Sequence, residues 1–163
     1  MEKLISTGPE KVIFLDIDGV LNSNRSTEPI IAEDMVKRLA HIARKTGASI
    51  VLSSSWRYEY ARHINSESDY YDKDVDRLII LLKKYGLEIA DITPLSYING
   101  ANARPYEIRT WLAGRANVKR FVILDDEFWH WNYLEDFVVC TMHMASGGIT
   151  TYGLADDDVL KSD

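Results

Sequence analysis

Three short stretches of the sequence end an apolar run with side chains that can do chemistry. These side chains are, in chain order, Asp16 and Asp18, then Ser53 and Ser54, then Asp125 and Asp126. Acids and serines are also common in turns, so one such stretch alone is weak evidence for a site. Three stretches that each finish in carboxylates or hydroxyls are harder to explain by turns, and together they predict one reactive site.

The four carboxylates predict a bound cation. Like charges held close together drive protonation of one partner unless a cation lies among them. Ligation by carboxylate and carbonyl oxygens, with positions left open for water and phosphate, suits Mg²⁺. No His or Cys stands in the three stretches, which argues against zinc. We therefore expect Mg²⁺ as the cofactor.

Asp16 and Asp18 have the spacing of a nucleophile and a proton carrier. Side chains two residues apart in an extended segment point to the same side. One carboxylate of such a pair can attack phosphorus and form an aspartyl-phosphate, which splits phosphoryl transfer into two easier steps. The other would protonate the leaving oxygen and later activate water. Gly19 lets the chain turn away without a side chain in the path of the phosphate.

The apolar pattern predicts the elements that bring these residues together. Short apolar runs alternate with longer segments of helical period, which is typical of an α/β domain with a parallel sheet. The predicted strands cover residues 11–17, 48–54, 87–92, 120–126 and 136–142. Ligands of such sheets bind outside the carboxyl ends of the strands, so the acids and serines should meet at one rim.

The segments between the strands carry helix signals. Helices are predicted over residues 32–47, 75–86 and 104–114. Each ends at a glycine, and Pro105 suits a first helical turn. Residues 57–74 have weak periodicity, so we expect a helix start followed by a loop. The aromatic stretch 128–137 predicts a short amphipathic helix packed on the sheet.

Length, charge and cysteine content limit the class of protein. The chain fits one domain, which we place over residues 1–163. The formal net charge of −6 disfavours broad binding of nucleic acid, although it is compatible with a local basic patch. We interpret the basic stretch RANVKR (115–120) and the acidic tail (154–163) as solvated surface.

The expected setting is cytoplasmic and without a membrane partner. No apolar run approaches the roughly 20 residues that are needed to cross a bilayer. Residues 1–11 lack an apolar core with a small-residue cleavage site, so no secretory signal is expected. Cys140 is the single cysteine, which suits a reducing compartment and a buried, unreactive thiol.

In order and spacing, the three stretches resemble the motifs of the haloacid dehalogenase-like (HAD) phosphohydrolases. FLDIDGVLN resembles the first motif, IVLSSSW the second and FVILDDE the fourth. The third motif, a Lys or Arg ahead of the fourth strand, is matched best by Arg104 in NARPYEI. With the later GGITTYGL, the set looks most like the small HAD domains of Swiss Army Knife RNA-repair proteins. The resemblance implies a Rossmann-like fold with a central parallel sheet, flanking helices and a minimal cap or none.

The resemblance also implies roles for the acidic residues. Asp16 would be the nucleophile, and Asp18 would be the general acid and base. Asp125 and Asp126 would hold Mg²⁺ together with Asp16 and the backbone carbonyl of Asp18. A phosphatase acting through an aspartyl-phosphate is the implied activity, with a non-catalytic binding module of the same fold as the alternative from another class.

Phosphate-binding roles follow from the second and third motifs of the resemblance, with two choices open. Ser53 would bind a phosphate oxygen, but the consecutive serines leave Ser54 as a second choice. Arg104 would stabilise the phosphate, but Arg57, directly after the second motif, competes for that role.

Short intervals between the motifs predict an open site. In this family, inserted caps largely select the substrate, and only about 25 residues separate the first motif from the second strand. An open site suits a phosphate on a large partner, such as a nucleic-acid end. A phosphoprotein and then a small metabolite are the alternatives.

Overall fold

Five parallel strands form the central sheet of the protein. The computed structural model describes residues 8–23, 30–65, 69–96, 100–127, 129–144 and 150–162. The strands are β1 (Lys11–Leu15), β2 (Ser49–Leu52), β3 (Ile89–Ile92), β4 (Arg120–Asp125) and β5 (Val138–Cys140). Each lies within a predicted strand and is shorter than predicted. The predicted α/β class with a parallel sheet is therefore confirmed.

The strand order β3-β2-β1-β4-β5 places the first strand in the middle. From β1 the chain adds β2 and then β3 on one side, and it returns across the sheet to add β4 and β5 on the other. The connections after β1 and β4 therefore leave the sheet beside each other and in opposite directions. Such a switch point opens a crevice at the carboxyl ends of the strands, where ligands of α/β sheets bind.

Helices connect the strands and flank the sheet. They are α1 (Glu33–Thr46), α2 (Arg57–Ile64), α3 (Lys73–Lys84), α4 (Ala103–Ala113) and α5 (Asp156–Lys161). The three predicted helices are confirmed as α1, α3 and α4, and residues 57–64 form the predicted helix start as α2. No helix in the described ranges is long and apolar enough to span a membrane.

Local signals explain the helix ends. Gly47, at φ +71°, ends α1 and donates its N–H to the carbonyl of Ala43. Asp72 begins α3 by accepting the N–H groups of Asp74 and Val75, a start two residues before the predicted one. Pro105 lies in the first turn of α4, where its missing N–H costs no helical hydrogen bond.

Alternate residues of the strands face two separate cores. Ile13 and Leu15 of β1 pack with the apolar faces of α1 and α3. Val12 and Phe14 pack on the other side, where Trp111 of α4 contacts the Phe14 ring edge-on at 5.4 Å. A parallel sheet covered on both faces requires apolar residues at consecutive positions, which is the pattern of β1.

The chain after β5 was not predicted in detail. A two-stranded antiparallel sheet forms from β6 (Met142–Met144) and β7 (Thr150–Tyr152), while Gly147 and Gly148 of the glycine-rich stretch lie outside the described residues. The acidic tail is not wholly solvated surface, because Asp158 is fully buried and bonded to His143 at 2.8 Å.

The predicted helix over 128–137 is wrong. The described part of this stretch has only a 3-10 helix at Glu135–Phe137, and Asn132 and Tyr133 have φ of +48° and +75°. Consecutive left-handed residues are incompatible with an α-helix. Phe128 lies outside the described residues, and the buried Trp131 packs in the core beside α4. The aromatic residues thus pack from an irregular loop.

Candidate active site

The predicted acids and serines follow adjacent strands at one edge of the sheet. The N–H of Asp16 donates to the carbonyl of Leu124 at 3.0 Å, and the N–H of Ser53 donates to the carbonyl of Leu15 at 2.9 Å. These bonds continue the ladders of β1 with β4 and of β2 with β1. Asp16, Ser53 and Asp125 therefore lie side by side at the switch point.

Three carboxylates are concentrated there. Asp16, Asp125 and Asp126 each offer an oxygen, and these oxygens lie within 4.8 Å of one another. Asp16 and Asp125 are buried. Burial first, and then the charge of Asp125, hold the pKa of Asp16 well above its usual value. Burial also raises the pKa of Asp125 and of Asp126.

Arg104 contacts two of the three carboxylates. Its Nη1 lies 2.6 Å from Asp125 Oδ2 and 3.3 Å from Asp16 Oδ1. The side chain extends from the first turn of α4, and its guanidinium lies 5.0 Å from the centre of the Trp129 ring. Trp129 also donates its indole N–H to Asp125 at 3.3 Å. One arginine thus partly neutralises the crowded acids.

The predicted alternative, Arg57, has different partners. It is buried at the start of α2, where Nη2 donates to Glu107 Oε2 at 2.7 Å and Nη1 donates to Thr93. This pair ties α2, the end of β3 and α4 together. Of the two arginines, Arg104 is therefore the one that contacts the acidic cluster.

The two serines differ in their hydrogen bonding. Ser53 is fully buried, and its Oγ has no hydrogen-bond partner within the described chain. The Oγ of Ser54 accepts the N–H of Trp56 at 3.2 Å, which is a local turn bond. A buried hydroxyl without a partner is costly, so Ser53 has hydrogen-bonding capacity available for a ligand.

Asp18 lies apart from the carboxylate cluster. Its side chain is exposed, and its two oxygens accept from the indole of Trp56 at 3.1 Å and from the amide of Asn22 at 3.0 Å. Asn22 in turn accepts the N–H of Gly19 at 2.8 Å. The sequence analysis missed Trp56 and Asn22, although both stand inside the quoted motifs FLDIDGVLN and IVLSSSW.

A side chain at position 19 would collide with Asp126, which is a second reason for a glycine there. Its φ is +77°, and a Cβ added there would lie 2.1 Å from Asp126 Oδ2 and 2.8 Å from Asp126 Cβ. The absence of a side chain therefore makes room for Asp126 beside Asp16, in addition to permitting the left-handed turn.

The donor set fits a hard divalent cation. The three close carboxylates offer only oxygen, and a cation among them would favour their ionised forms, which burial disfavours. Mg²⁺ prefers such oxygen ligands, and Asp16, Asp125 and Asp126 are the side chains that would hold it.

Replacing Gly19 should separate backbone strain from the contact with Asp126. Gly86→Ala is the matched control, because Gly86 has φ +75° and nothing within 4 Å of an added Cβ. We expect Gly86→Ala to cost about 1 kcal/mol through strain. Gly19→Ala should lower the free energy of unfolding further, as measured by urea denaturation. Equal losses in the two variants would contradict the packing role of Gly19.

Removing one carboxylate should weaken metal binding and stabilise the metal-free chain. Wild-type protein should gain about 2.7 kcal/mol when Mg²⁺ is at a hundred times its Kd. Asp126→Asn should unfold at a higher temperature without Mg²⁺, because repulsion falls, and should gain less from Mg²⁺. Calorimetry measures both effects, with Asp157→Asn at an exposed position of α5 as the control. An unchanged Mg²⁺ response in Asp126→Asn would exclude this cluster as the metal site.

Comparison with known proteins agrees with the geometry. The family described as "HAD domain in Swiss Army Knife RNA repair proteins" matches residues 12–151, which include all the predicted site residues. Searches of curated proteins and of solved structures found no significant match. The family match covers most of the chain, and the fold and the order of the motifs are those the resemblance implied. The chain belongs to the family of HAD domains found in Swiss Army Knife RNA repair proteins.

Proposed function

We propose that the protein is a Mg²⁺-dependent phosphomonoesterase that works through an aspartyl-phosphate on Asp16. The observation that carries the proposal is the contact of Arg104 with both Asp16 and Asp125, at the edge of the sheet where the hydroxyl of Ser53 has no hydrogen-bond partner among the described residues. Guanidinium and hydroxyl groups next to a nucleophilic carboxylate are suited to bind phosphate oxygens. Membership of the HAD family supports a hydrolase.

The first half-reaction transfers the phosphoryl group to the protein. A carboxylate oxygen of Asp16 attacks phosphorus, and the bond between phosphorus and the leaving oxygen breaks. Asp18 donates a proton to that oxygen, which departs as an alcohol. Arg104 and Ser53 hold the phosphoryl oxygens during the transfer, and Ser54 and Arg57 support the loops around them through their own hydrogen bonds.

The second half-reaction restores the enzyme. Asp18, now ionised, takes a proton from water, and the water oxygen attacks the same phosphorus. The bond between phosphorus and Asp16 breaks, and inorganic phosphate leaves. Asp18 is thereby protonated again for the next substrate, so the two half-reactions balance as hydrolysis of one phosphomonoester by one water.

Asp16 must be ionised in order to attack. Burial and neighbouring carboxylates raise its pKa, and Arg104 partly offsets this effect. Bound Mg²⁺ would supply further positive charge among Asp16, Asp125 and Asp126 and would neutralise charge that develops on the phosphoryl group. The backbone carbonyl of Asp18 is the expected fourth protein ligand.

Asp18 is arranged for proton transfer at an open site. Trp56 and Asn22 each donate to one of its oxygens, which sets the orientation of the carboxyl group. The exposure of Asp18 suits a leaving group that belongs to a large molecule. The family name, which refers to RNA repair, favours a polynucleotide end over a phosphoprotein or a metabolite.

Substitution of the two aspartates should affect different half-reactions. Asp16→Asn should retain less than about one thousandth of kcat, because the nucleophile is lost. Asp18→Asn should still release a burst of p-nitrophenol from p-nitrophenyl phosphate, whose good leaving group needs little protonation, and then turn over slowly. Mass spectrometry should detect one added phosphoryl group on Asp16 in that variant. Full activity of Asp16→Asn would refute the nucleophile assignment.

A substrate panel should identify the phosphate that is hydrolysed. The panel contains 3′- and 5′-phosphorylated RNA and DNA, phosphopeptides, nucleotides and sugar phosphates, each with Mg²⁺ and with a chelator. We expect the highest kcat/KM with a phosphorylated polynucleotide end and no activity after chelation. Faster hydrolysis of small metabolites would overturn the substrate class, and activity without a divalent ion would overturn the cofactor. If the protein binds Mg²⁺ but hydrolyses no member of the panel, the result would favour a non-catalytic binding module.

A further inference from the structure

Thr141 joins the two acid-bearing segments of the candidate active site. It lies between β5 and β6, is fully buried, and stands outside the motifs that carried the resemblance. Its N–H donates to the carbonyl of Asp125 at 3.0 Å, which continues the pairing of β4 with β5. Its hydroxyl donates to the carbonyl of Gly19 at 2.6 Å. One residue thus holds the end of β4 and the turn after β1 together.

The turn at Gly19 is a segment whose backbone needs such fixing. Gly19 has a φ of +77°, and glycine has more backbone freedom than any other residue. Its N–H donates to Asn22 Oδ1 at 2.8 Å, and its carbonyl accepts the hydroxyl of Thr141. Asn22 belongs to the same turn, so its bond fixes the shape of the turn. Thr141 is distant in sequence, so its bond fixes the position of the turn relative to β4.

These bonds also fix the direction of the carbonyl of Asp18. A trans peptide group is planar, and its N–H and C=O point in opposite directions. The N–H of Gly19 and the carbonyl of Asp18 belong to one such group, so the bond to Asn22 sets the direction of both. This carbonyl is the expected fourth protein ligand of Mg²⁺. Rotation about the backbone bonds of Gly19 would shift it relative to Asp125, to which Thr141 is bonded.

The stretch after β7 adds a second bond to the same turn. The N–H of Gly153 donates to the carbonyl of Thr141 at 3.1 Å, and the N–H of Leu154 donates to the carbonyl of Val20 at 2.8 Å. A Cβ on Gly153 would lie 2.3 Å from Met35 Cε, so glycine permits this close packing. These two residues end the glycine-rich stretch GGITTYGL, which the proposed reaction does not use. Thr141 is therefore itself held in place, and the turn has a second anchor.

We propose that Thr141 is a positioning residue for the proposed Mg²⁺ site. Its hydroxyl anchors the Gly19 turn to the end of β4, so that the carbonyl of Asp18 keeps its place relative to the carboxylates of Asp125 and Asp126. Residues that orient metal ligands commonly contribute roughly ten- to a hundredfold to metal affinity. The inference rests on the proposed function, because it concerns the same metal site.

Calorimetric titration of Mg²⁺ into the full chain and three variants tests the proposal. Thr141→Val keeps the shape of the side chain but lacks the hydroxyl, and it should bind Mg²⁺ about tenfold more weakly than wild type. Thr141→Ser keeps the hydroxyl and should restore the affinity. Thr46→Val is the matched control, because the hydroxyl of Thr46 also donates to a backbone carbonyl, that of Ile42 at 2.7 Å, at the end of α1. This control should lose stability without a change in Kd.

Each outcome of the titration bears on the role of the hydroxyl. Equal Mg²⁺ affinity of Thr141→Val and wild type would overturn the proposal and leave Thr141 with a purely structural role. Weakening in Thr46→Val as large as in Thr141→Val would also overturn it, because affinity would then follow stability. Failure of Thr141→Ser to restore the affinity would show that the hydroxyl is not the group responsible.

Amide hydrogen exchange of the wild-type protein tests the same coupling without a substitution. Coupling between two sites is reciprocal, so if the bonds around Thr141 favour Mg²⁺ binding, bound Mg²⁺ must favour these bonds. We expect Mg²⁺ to slow exchange of the Leu154 amide, which donates to Val20, more than exchange of the Gly47 amide at the end of α1. Equal slowing of both amides, or no slowing at Leu154, would overturn the proposal even if Thr141→Val does not fold.

These measurements separate the inference from the proposed function. Absence of Mg²⁺ binding by the wild type would refute the proposed metal site and this inference with it. If wild type binds Mg²⁺ and hydrolyses p-nitrophenyl phosphate, but Thr141→Val has the same affinity, only the inference is refuted. If wild type is inactive, but Thr141→Val shows the expected loss of Mg²⁺ affinity, only the hydrolysis is refuted.

Discussion

Three carboxylates lie close together at the switch point, and their mutual repulsion constrains the other residues at the carboxyl ends of the strands. Asp16 and Asp125 are buried, and Asp126 lies close to both. Carboxylates at this separation repel unless protons, a cation or a basic side chain lie among them. The reach of Arg104 from α4 and the absence of a side chain at Gly19 both serve this small region.

The same constraint separates the two aspartates of the first motif. Asp16 belongs to the buried cluster, whereas Asp18 is exposed and bonded to Trp56 and Asn22. A carboxylate inside the cluster has two other acids close to it, whereas the carboxylate of Asp18 has an indole N–H and an amide as its partners. Two residues that differ by two positions in sequence thus acquire different electrostatic surroundings, which the proposed roles of nucleophile and proton carrier require.

A parallel sheet also separates charge along its strands. All five strands start at one edge of the sheet and end at the other. The first residues of β1 and β4 are therefore neighbours, just as the residues at their carboxyl ends are. Lys11 and Arg120 therefore meet at one edge, and Asp16 and Asp125 meet at the opposite edge. The net charge of −6 conceals this division. Overall charge is therefore a poor guide to the local charge of a surface where topology sorts the residues.

The sequence by itself determined the strands, three helices and the candidate acids, because apolar runs, glycine stops and strand-end carboxylates are local signals. It did not distinguish Arg104 from Arg57, or Ser53 from Ser54. In the structure, Arg57 pairs with Glu107, and the hydroxyl of Ser54 accepts the N–H of Trp56. The predicted helix over 128–137 is wrong because Asn132 and Tyr133 have left-handed φ values that an α-helix excludes, while Trp131 is buried in the core. The partners of Arg57 and Arg104 are distant in sequence, so only the tertiary structure decided which arginine contacts the acidic cluster.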